Sequence, residues 1–206
     1  MAFNKLGLLA VKSFYTTKNV ITVFDNIEYL RRGNSRQQQA YSCLSDNQVL
    51  LKLKLYTPIL VGTVPINVNI ENSDLDIICC FYNTREFIKT ITDNFRDEKN
   101  FTIKEQQNPD SPTVIASFIL GDFEIEIFGQ KIPTKQQFAY RHMIVEHNLL
   151  KEYGEKLRQQ VVGLKRQGHK TEPAFGLALG LTGDPYMELL KFEINDTSEP
   201  LTKDTQ

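Results

Sequence analysis

The sequence feature that most constrains the fold is a short apolar run, Leu75 to Phe81, with an acid on each side of its first residue. A run of this length and composition predicts a buried β-strand. Asp74 and Asp76 are two residues apart, and strand side chains alternate between faces, so both carboxylates project from one face of the sheet. Carboxylates so placed repel each other unless a counter-charge is present. A hard dication such as Mg²⁺, which prefers oxygen ligands, would supply that charge.

The same pattern recurs later in the chain, where Glu124 and Glu126 alternate with apolar residues over Phe123 to Phe128. This segment and the run from Val114 to Leu120 predict a β-hairpin that turns at residues 121–122. If the glutamate strand lies beside the aspartate strand, the resulting set of carboxylates can hold two metal ions about 3.5–4 Å apart. Both glutamates share one face, so the spacing leaves open which of them is the third acid.

Gly62 ends a short predicted strand that begins at Ile59, and Thr63 follows it. A glycine lets a triphosphate approach the backbone closely, and the threonine hydroxyl can orient the phosphates. The stretch between this glycine and the aspartate pair is rich in β-branched residues and is interrupted by a proline, which argues against a phosphate-binding helix there. The side chains of Asn67 and Asn69 could provide the polar contacts instead.

Helices are predicted on both sides of the strands. The first N-terminal helix is predicted around Val23 to Arg31, and the second runs from a cap at Ser35 to Leu44. The third runs from a cap at Ser45 or Asp46 to Leu53, although Leu51 to Leu55 also alternates like a strand. A helix capped by Thr84, a strand at Lys99 to Gln106 and a turn at Asn108 to Pro112 fill the middle. The C-terminal helices begin at Thr134, at Lys170 and at Asp184 as an N-cap, the first continuing across Gly154 to Gln167.

This element order predicts an α+β fold, in which a small mixed β-sheet is flanked by helices and the C-terminal half is α-helical. The expected divisions are an N-terminal helical region at 1–57, the sheet core at 58–132, a C-terminal helical region at 133–194 and a flexible tail at 195–206.

Charge composition bears on the partners of the chain. Its 206 residues include 24 Lys and Arg against 25 Asp and Glu, a net charge of −1. Proteins that bind long nucleic acids usually carry a basic excess, so such a partner is disfavoured. The three cysteines suggest neither a disulfide framework nor a zinc site. No stretch approaches the roughly 20 apolar residues that span a bilayer, and no signal-peptide pattern is present, so no membrane partner and a cytoplasmic location are expected.

At these residues the sequence resembles the DNA polymerase β-like nucleotidyltransferase superfamily. Val61-Gly62-Thr63, then Asp74-Leu75-Asp76-Ile77, then Ile125-Glu126-Ile127 match its three motifs in order. The fuller set of strings G-T-V-P-I, S-D-L-D-I-I, E-I-F-G-Q, A-Y-R-H-M, K-T-E-P-A-F and G-D-P-Y also resembles a bacterial domain-of-unknown-function family, number 4269. The resemblance implies a nucleotidyltransferase-type sheet that transfers a nucleoside monophosphate from a nucleoside triphosphate such as ATP to a hydroxyl.

The resemblance also implies roles for individual residues. Asp74, Asp76 and Glu126 would be both the catalytic residues and the ligands of Mg²⁺ or Mn²⁺. The nucleotide-binding candidates are Gly62, Thr63, Ser73, Arg141, His142 and Lys170. His142 could instead be a satisfied, semi-buried histidine paired with Glu146, and Lys170 could belong to a basic cluster that complements a helix dipole.

Several alternatives remain at this level. The chain could be a catalytically silent nucleotide-binding or interaction module of the same fold, or a metal-dependent phosphohydrolase in which water is the acceptor. The expected partners are a nucleoside triphosphate and an unidentified acceptor, either a small molecule or a protein side chain. The sequence specifies neither the nucleotide nor the oligomeric state.

Overall fold

The computed structural model describes residues 23–106 and 112–193, and its centre is a five-stranded mixed sheet. The strands are β1 (Ile59–Val61), β2 (Leu75–Cys80), β3 (Lys99–Gln106), β4 (Thr113–Leu120) and β5 (Phe123–Gln130). Their order across the sheet is β1-β2-β5-β4-β3. Only the β2–β5 pair among these strands is parallel, and the other neighbours are antiparallel. The α+β class with a mixed sheet, as expected from the sequence, is confirmed.

The described helices form two layers, one on each face of the sheet. They are α1 (Ser35–Asp46), α2 (Val49–Lys52), α3 (Thr84–Phe95), α4 (Phe138–Arg166), α5 (Thr171–Leu179) and α6 (Pro185–Leu190). One hydrophobic core joins α1, α2 and α3 to the sheet face that carries Leu75 and Ile77, both fully buried. A second core joins α4, α5 and α6 to the opposite face, where Ile78 is buried. Because strand side chains alternate, the opposite face also carries Asp76.

Two of the helix starts expected from the sequence, at Lys170 and at Asp184, are the N-cap positions of α5 and α6, and the other starts differ by a residue or more. Asn34, not Ser35, caps α1: its side chain accepts from the Gln37 N–H while the Gln37 side chain accepts from the Asn34 N–H. Asn83, not Thr84, caps α3 in the same way, by accepting from two backbone amides. An asparagine immediately ahead of the expected cap competes well because its amide oxygen reaches the first free N–H groups.

The segment before the sheet is helical but broken into short turns. Residues 23–31 were expected to form one helix, and the structure shows two 3₁₀ turns, Val23–Asp25 and Glu28–Arg32. α2 begins after Gln48 rather than at a cap on Ser45 or Asp46, and a 3₁₀ turn at Lys54–Tyr56 follows it. The strand-like alternation at 51–55 is therefore not used in the sheet, which leaves Leu51 and Leu55 exposed.

The long helix α4 is anchored to the sheet at its first residue. Thr134 opens a 3₁₀ turn, Thr134–Gln136, and Gln137 is the N-cap residue of α4. The buried Gln137 side chain donates to the carbonyls of Cys79 at 2.9 Å and Ile132 at 2.8 Å. The helix continues across Gly154, whose φ of 66° marks a kink.

Two sequence expectations fall wholly or mainly outside the described residues, namely the turn at 108–112 and the tail from 195. The helices of residues 23–106 and 112–193 include none with the length and apolar character to cross a membrane.

Gly129 provides a test of the packing between β5 and α3. A Cβ at this position would overlap the ring of Phe87, which stacks on Phe81 with ring centroids 5.0 Å apart. We expect Gly129→Ala to lower the free energy of unfolding by about 1–3 kcal/mol, because the two fully buried rings cannot move apart freely.

The matched control is Gly163→Ala in α4, where a Cβ meets nothing within 4 Å. That change should be neutral or stabilising by up to about 1 kcal/mol through helix propensity. Urea unfolding followed by circular dichroism measures both variants. Equal stability of Gly129→Ala and wild type would contradict the packing described.

Candidate functional site

The register of β2 and β5 brings the predicted acids together. Asp76 and Glu126 are directly paired residues of these two parallel strands. Asp74 lies one residue before β2, and all three side chains line a cavity of about 810 Å³ between the sheet and α4, α5 and α6. Glu124 shares the face of Glu126 but lies near the start of the strand, exposed and outside the set of residues that line this cavity.

Gly62 is required at its position for two reasons. Its φ of 82° is in the left-handed region, which side chains rarely adopt. A Cβ on Gly62 would also overlap Oδ2 of Asp76, because β1 and β2 are antiparallel and pair Val61 with Asp76. The backbone at Gly62 therefore passes directly over the Asp76 carboxylate.

Residues 62–73 form turns instead of a helix, in agreement with the β-branched composition of the segment. Side chains from distant helices hold the turns in place. Gln37 donates to the Val64 carbonyl at 2.9 Å, and Arg158 donates to the carbonyls of Ile66 and Asn67 at 2.8 Å each. Oδ1 of Asn67 accepts a hydrogen bond from the Asn34 side chain, and neither Asn67 nor Asn69 is among the residues that line the cavity.

Two hydroxyl groups of this turn segment face the cavity. Thr63 and Ser73 both line it, and the Thr63 hydroxyl donates to Ser73 Oγ at 3.3 Å. Ser73 Oγ also accepts from the backbone N–H of Ile70 at 2.9 Å. This network fixes the approach of the chain to Asp74, so the first acid enters the cavity from a defined turn.

The pKa values of Asp76 and Glu126 reflect the electrostatic cost of burying carboxyl groups close to one another. Burial is the main cause that raises the pKa of Asp76 to about 7, and the charges of Asp74 and Glu126 raise it further. Burial, with Asp74 and Glu124, also raises the pKa of Glu126. Lys165 acts in the opposite direction on Asp76 but does not offset the other effects. The site is therefore short of positive charge.

The opposite wall of the cavity is helical and chemically mixed. α4 contributes His142, Glu146 and Lys165, and α5 contributes Glu172. Lys165 is only 8% exposed; burial lowers its pKa, and the surrounding carboxylates act against that decrease. Exposed Phe138, Tyr186 and Met187 also line the cavity.

The other nucleotide-binding candidates are placed differently from one another. Lys170 is exposed and lines the cavity at the start of α5. Arg141 is outside the cavity lining, because its guanidinium makes a bidentate ion pair with Glu193 at 2.6–3.2 Å. The sequence predicts that both residues bind the nucleotide, but only Lys170 lines the cavity in the structure.

His142 lines the cavity but does not pair with Glu146 as the sequence suggested. Its Nε2 lies 3.0 Å from the Tyr186 carbonyl, and because a carbonyl only accepts, Nε2 carries the hydrogen. Its Nδ1 lies 3.6 Å from Oε1 of Glu172 on the neighbouring helix. The pairing is thus between helices rather than along α4, and it connects α4, α5 and α6.

Sequence reasoning did not place Glu146, Lys165 or Glu172 in the site. Glu146 lies among the apolar positions of α4, only 3% exposed, and a charge at such a position is the signal that could have identified it. Lys165 lies in the last turn of α4, where interaction with the helix dipole is a sufficient explanation for a basic residue. Glu172 reaches the cavity because of the turn between α4 and α5, which a single sequence does not define.

A larger cavity of about 950 Å³ lies at the other end of the sheet, and we do not assign the site to it. Its lining mixes apolar and polar side chains, and its Asp25 is ion-paired with Lys135 at 2.6 Å. A functional site is better indicated by convergent polar groups with shifted pKa values than by volume.

The donor chemistry of the three acids fits Mg²⁺ or Mn²⁺, since all are carboxylates. Burial, together with the neighbouring acids, raises the pKa of Asp76, and a bound cation would favour its ionised form. Within 23–106 and 112–193, no three or more His, Cys, Asp and Glu side chains are already grouped as a metal site. Binding an ion would require the carboxylates to turn towards a common point.

Comparison with solved structures identifies the class of fold. Cid1 poly(U) polymerase with bound MgGTP matches at a TM-score of 0.50 and 13% identity, over 74% of this chain and 53% of that chain. A second structure of Cid1, described for its RNA terminal uridylyl transferase activity, matches at 0.50 and 12%, over 74% and 52%. The chain spans about half the length of these structures, and at such identities the likeness shows the nucleotidyltransferase fold alone.

A family model gives the closer assignment. Residues 42–192 match the model described as a domain of unknown function, DUF4269, and the chain belongs to this family. No curated protein matches the sequence.

The raised pKa of Asp76 predicts a dependence of stability on pH. The folded-state pKa, about 7, exceeds the ordinary value of 3.8, so the folded state holds the proton more tightly and Asp76 favours folding only at low pH. That contribution is lost as the pH rises from about 4 through 7. Metal-free Asp76→Asn should therefore be more stable than wild type at pH 8, by about 1–2 kcal/mol after allowance for solvent screening.

The measurement is urea unfolding at pH 5, 6.5 and 8 in the presence of a chelator. The difference in free energy of unfolding between Asp76→Asn and wild type should increase with pH. Glu124→Gln, which removes an exposed acid from the same sheet face, should have the same stability as wild type at each pH. A gap of constant size at all three pH values would show that charge burial at Asp76 is not its cause.

Proposed function

We propose that this protein is a metal-dependent nucleotidyltransferase that moves a nucleoside monophosphate from a nucleoside triphosphate to a hydroxyl group. The observation that carries the proposal is the direct pairing of Asp76 with Glu126, beside Asp74, on a cavity that Gly62 and Thr63 also line. The nucleotidyltransferase fold supports it, as does the MgGTP bound in one of the matching structures.

In the proposed reaction the acceptor oxygen attacks the α-phosphorus of the triphosphate, the bond to the bridging oxygen breaks, and pyrophosphate leaves. Asp74, Asp76 and Glu126 are the residues that would hold Mg²⁺ or Mn²⁺. Such an ion supplies positive charge against the phosphate oxygens as negative charge develops there. Glu126 also accepts the proton of the acceptor hydroxyl, a task favoured by the raised pKa of its carboxyl.

The helical wall would hold the nucleotide. Lys165 and Lys170 are the two lysines of the cavity lining, and they provide charge for the triphosphate. The Thr63 and Ser73 hydroxyls lie beside the acids and can contact phosphate oxygens. Phe138 and Tyr186, exposed on the helical side of the cavity, offer rings on which a nucleobase can stack.

The acceptor is the least defined part of the proposal. The near-neutral charge of the chain favours a small molecule or a protein side chain over a polynucleotide. The comparisons do not support excluding nucleic acid, because the Cid1 structures are described as a poly(U) polymerase and an RNA terminal uridylyl transferase. An RNA oligonucleotide therefore belongs in any acceptor screen.

The proposal predicts nucleotide binding that depends on metal and on the acids. With Mg²⁺ and a nucleoside triphosphate at 100 times its Kd, wild type should gain roughly 2.7 kcal/mol of stability, seen as a rise in Tm. The double variant Asp74→Ala/Asp76→Ala should lose this gain. Glu126→Gln should slow pyrophosphate release about 10²–10⁴-fold, as removal of a general base does.

Glu124→Gln is the matched control, because it makes the same chemical change two residues away on the same strand face. It should leave nucleotide binding and turnover near wild-type values. Binding of a triphosphate without pyrophosphate release, across hydroxyl acceptors and RNA, would identify a catalytically silent module. Release of phosphate to water alone would identify a phosphohydrolase, and no Tm shift with any triphosphate would refute the proposed function.

A further inference from the structure

Two side chains from distant helices, Gln37 and Arg158, hold four consecutive carbonyl groups of the turn segment, residues 62–73. Nε2 of Gln37 donates to the first two, at 2.9 and 3.2 Å, and Nη1 of Arg158 donates to the next two, at 2.8 Å each. The helices α1 and α4 that carry these donors pack on opposite faces of the sheet. The segment is therefore held between both helical layers. The accepting carbonyls are those of Val64, Pro65, Ile66 and Asn67.

The Arg158 contact supports a backbone conformation that the local sequence does not favour. Asn67 has a φ of 59°, in the left-handed region that residues other than glycine seldom adopt. Such a conformation persists only where the surroundings hold it. Nε of Arg158 donates to Glu155 in the same helix at 3.1 Å, so the guanidinium is oriented towards the turn before it meets the two carbonyls.

The same part of α4 holds the turn segment at a second point. Nη2 of Arg166 lies 2.6 Å from Oε1 of Glu71 in an exposed ion pair. An exposed pair contributes little by itself, whereas the Arg158 side chain is only 23% exposed and bonds two backbone groups. Both arginines follow the kink at Gly154, so the second half of α4 and the turn segment are joined directly to each other.

This connection bears on the part of the cavity that the proposed function assigns to phosphate. The two ends of the turn segment bring the Thr63 and Ser73 hydroxyls to the cavity, and the second half of α4 brings Lys165. Arg158 itself is not one of the described residues that line the cavity. Any effect of Arg158 on a bound phosphate chain must therefore act through the backbone that it holds.

We propose that Arg158 is a positioning residue for the phosphate chain of the nucleotide. Its hold on the turn segment keeps the two hydroxyl groups at a fixed distance from Lys165, so the phosphate subsite is formed before the ligand arrives. This inference rests on the proposed function for the statement that the ligand is a nucleoside triphosphate. Preorganisation of this kind increases affinity because the turn segment loses little conformational freedom on binding.

Hydrogen exchange of the full chain without ligand tests the hold itself. The N–H of Val68 donates to the Thr63 carbonyl within the turn, at 3.0 Å. Arg158→Met should speed exchange of this amide at least 10-fold, because the segment opens more often, while exchange in β5 should stay at the wild-type rate. Lys151→Met removes an exposed positive charge from the same helix, and it should exchange like wild type throughout.

Calorimetric binding tests the consequence for the ligand. The probes are a non-hydrolysable nucleoside triphosphate analogue and inorganic triphosphate, each with Mg²⁺. Arg158→Met should weaken both at least 10-fold and by similar factors, and Lys151→Met should bind both within about twofold of wild type. Arg158→Lys retains a nitrogen with three N–H donors, so it should recover binding to within about threefold of wild type.

Two results would overturn the inference. One is exchange in Arg158→Met that is unchanged at Val68 or that rises equally in β5, since the turn would then not depend on Arg158 in particular. The other is binding by Arg158→Met that matches wild type, or that is lost for the analogue but kept for inorganic triphosphate. Arg158→Lys as weak as Arg158→Met would also contradict a role through the two carbonyls.

The outcomes keep the two proposals apart. Wild type that binds the analogue, with equal affinity in Arg158→Met, would leave nucleotidyl transfer standing and refute the positioning role. Wild type that binds neither probe would refute the proposed function, and with it the role in positioning phosphate. Binding of inorganic triphosphate alone, sensitive to Arg158→Met, would refute nucleotidyl transfer and support the turn segment as a phosphate subsite of another function.

Discussion

The parallel pairing of β2 with β5 is the constraint on which the rest of the structure depends. A parallel pair needs a long crossover, here α3, β3 and β4, so the connection between the two strands that carry the acids contains two further strands of the sheet. Leu75 and Ile77 of β2, with Ile125 and Ile127 of β5, are fully buried. A slip of one residue would turn these side chains to the other face, so the apolar core sets the position of Asp76 against Glu126.

The same core holds the carboxylates in an unfavourable arrangement. Asp76 is desolvated, faces two further acids and lies under the Gly62 backbone, and its pKa rises accordingly. The free energy gained by packing the sheet core offsets the electrostatic cost of burying neighbouring carboxyl groups. Charge burial of this kind is common at functional sites. A bound cation would lower this electrostatic cost, which gives the proposed metal dependence a physical basis in this chain.

The two walls of the cavity divide the chemistry between them. The sheet contributes acids from adjacent strands, which are rigidly spaced. The helical wall depends on Gln137, which ties the start of α4 to the sheet, and on the His142 contacts that connect α4, α5 and α6. In the proposed reaction the sheet wall performs the transfer, and the helical wall holds the nucleotide.

The sequence by itself determined the strands of the sheet, the α+β class, and the common face of Asp74 with Asp76 and of Glu124 with Glu126, because each depends on the two-residue period of a strand and on burial of apolar runs. The period could not decide between Glu124 and Glu126 as the residue beside Asp76, since both share a face; only the pairing register did. Asp184 caps α6 as the sequence predicts, but the caps of α1 and α3 lie one residue earlier than expected, because neighbouring polar side chains compete for the same amides. The partner of His142, the ion pair of Arg141 and the contacts of Arg158 with the turn segment were decided by tertiary structure alone. They depend on side chains brought together from distant elements, and distances of that kind are not encoded in local spacing.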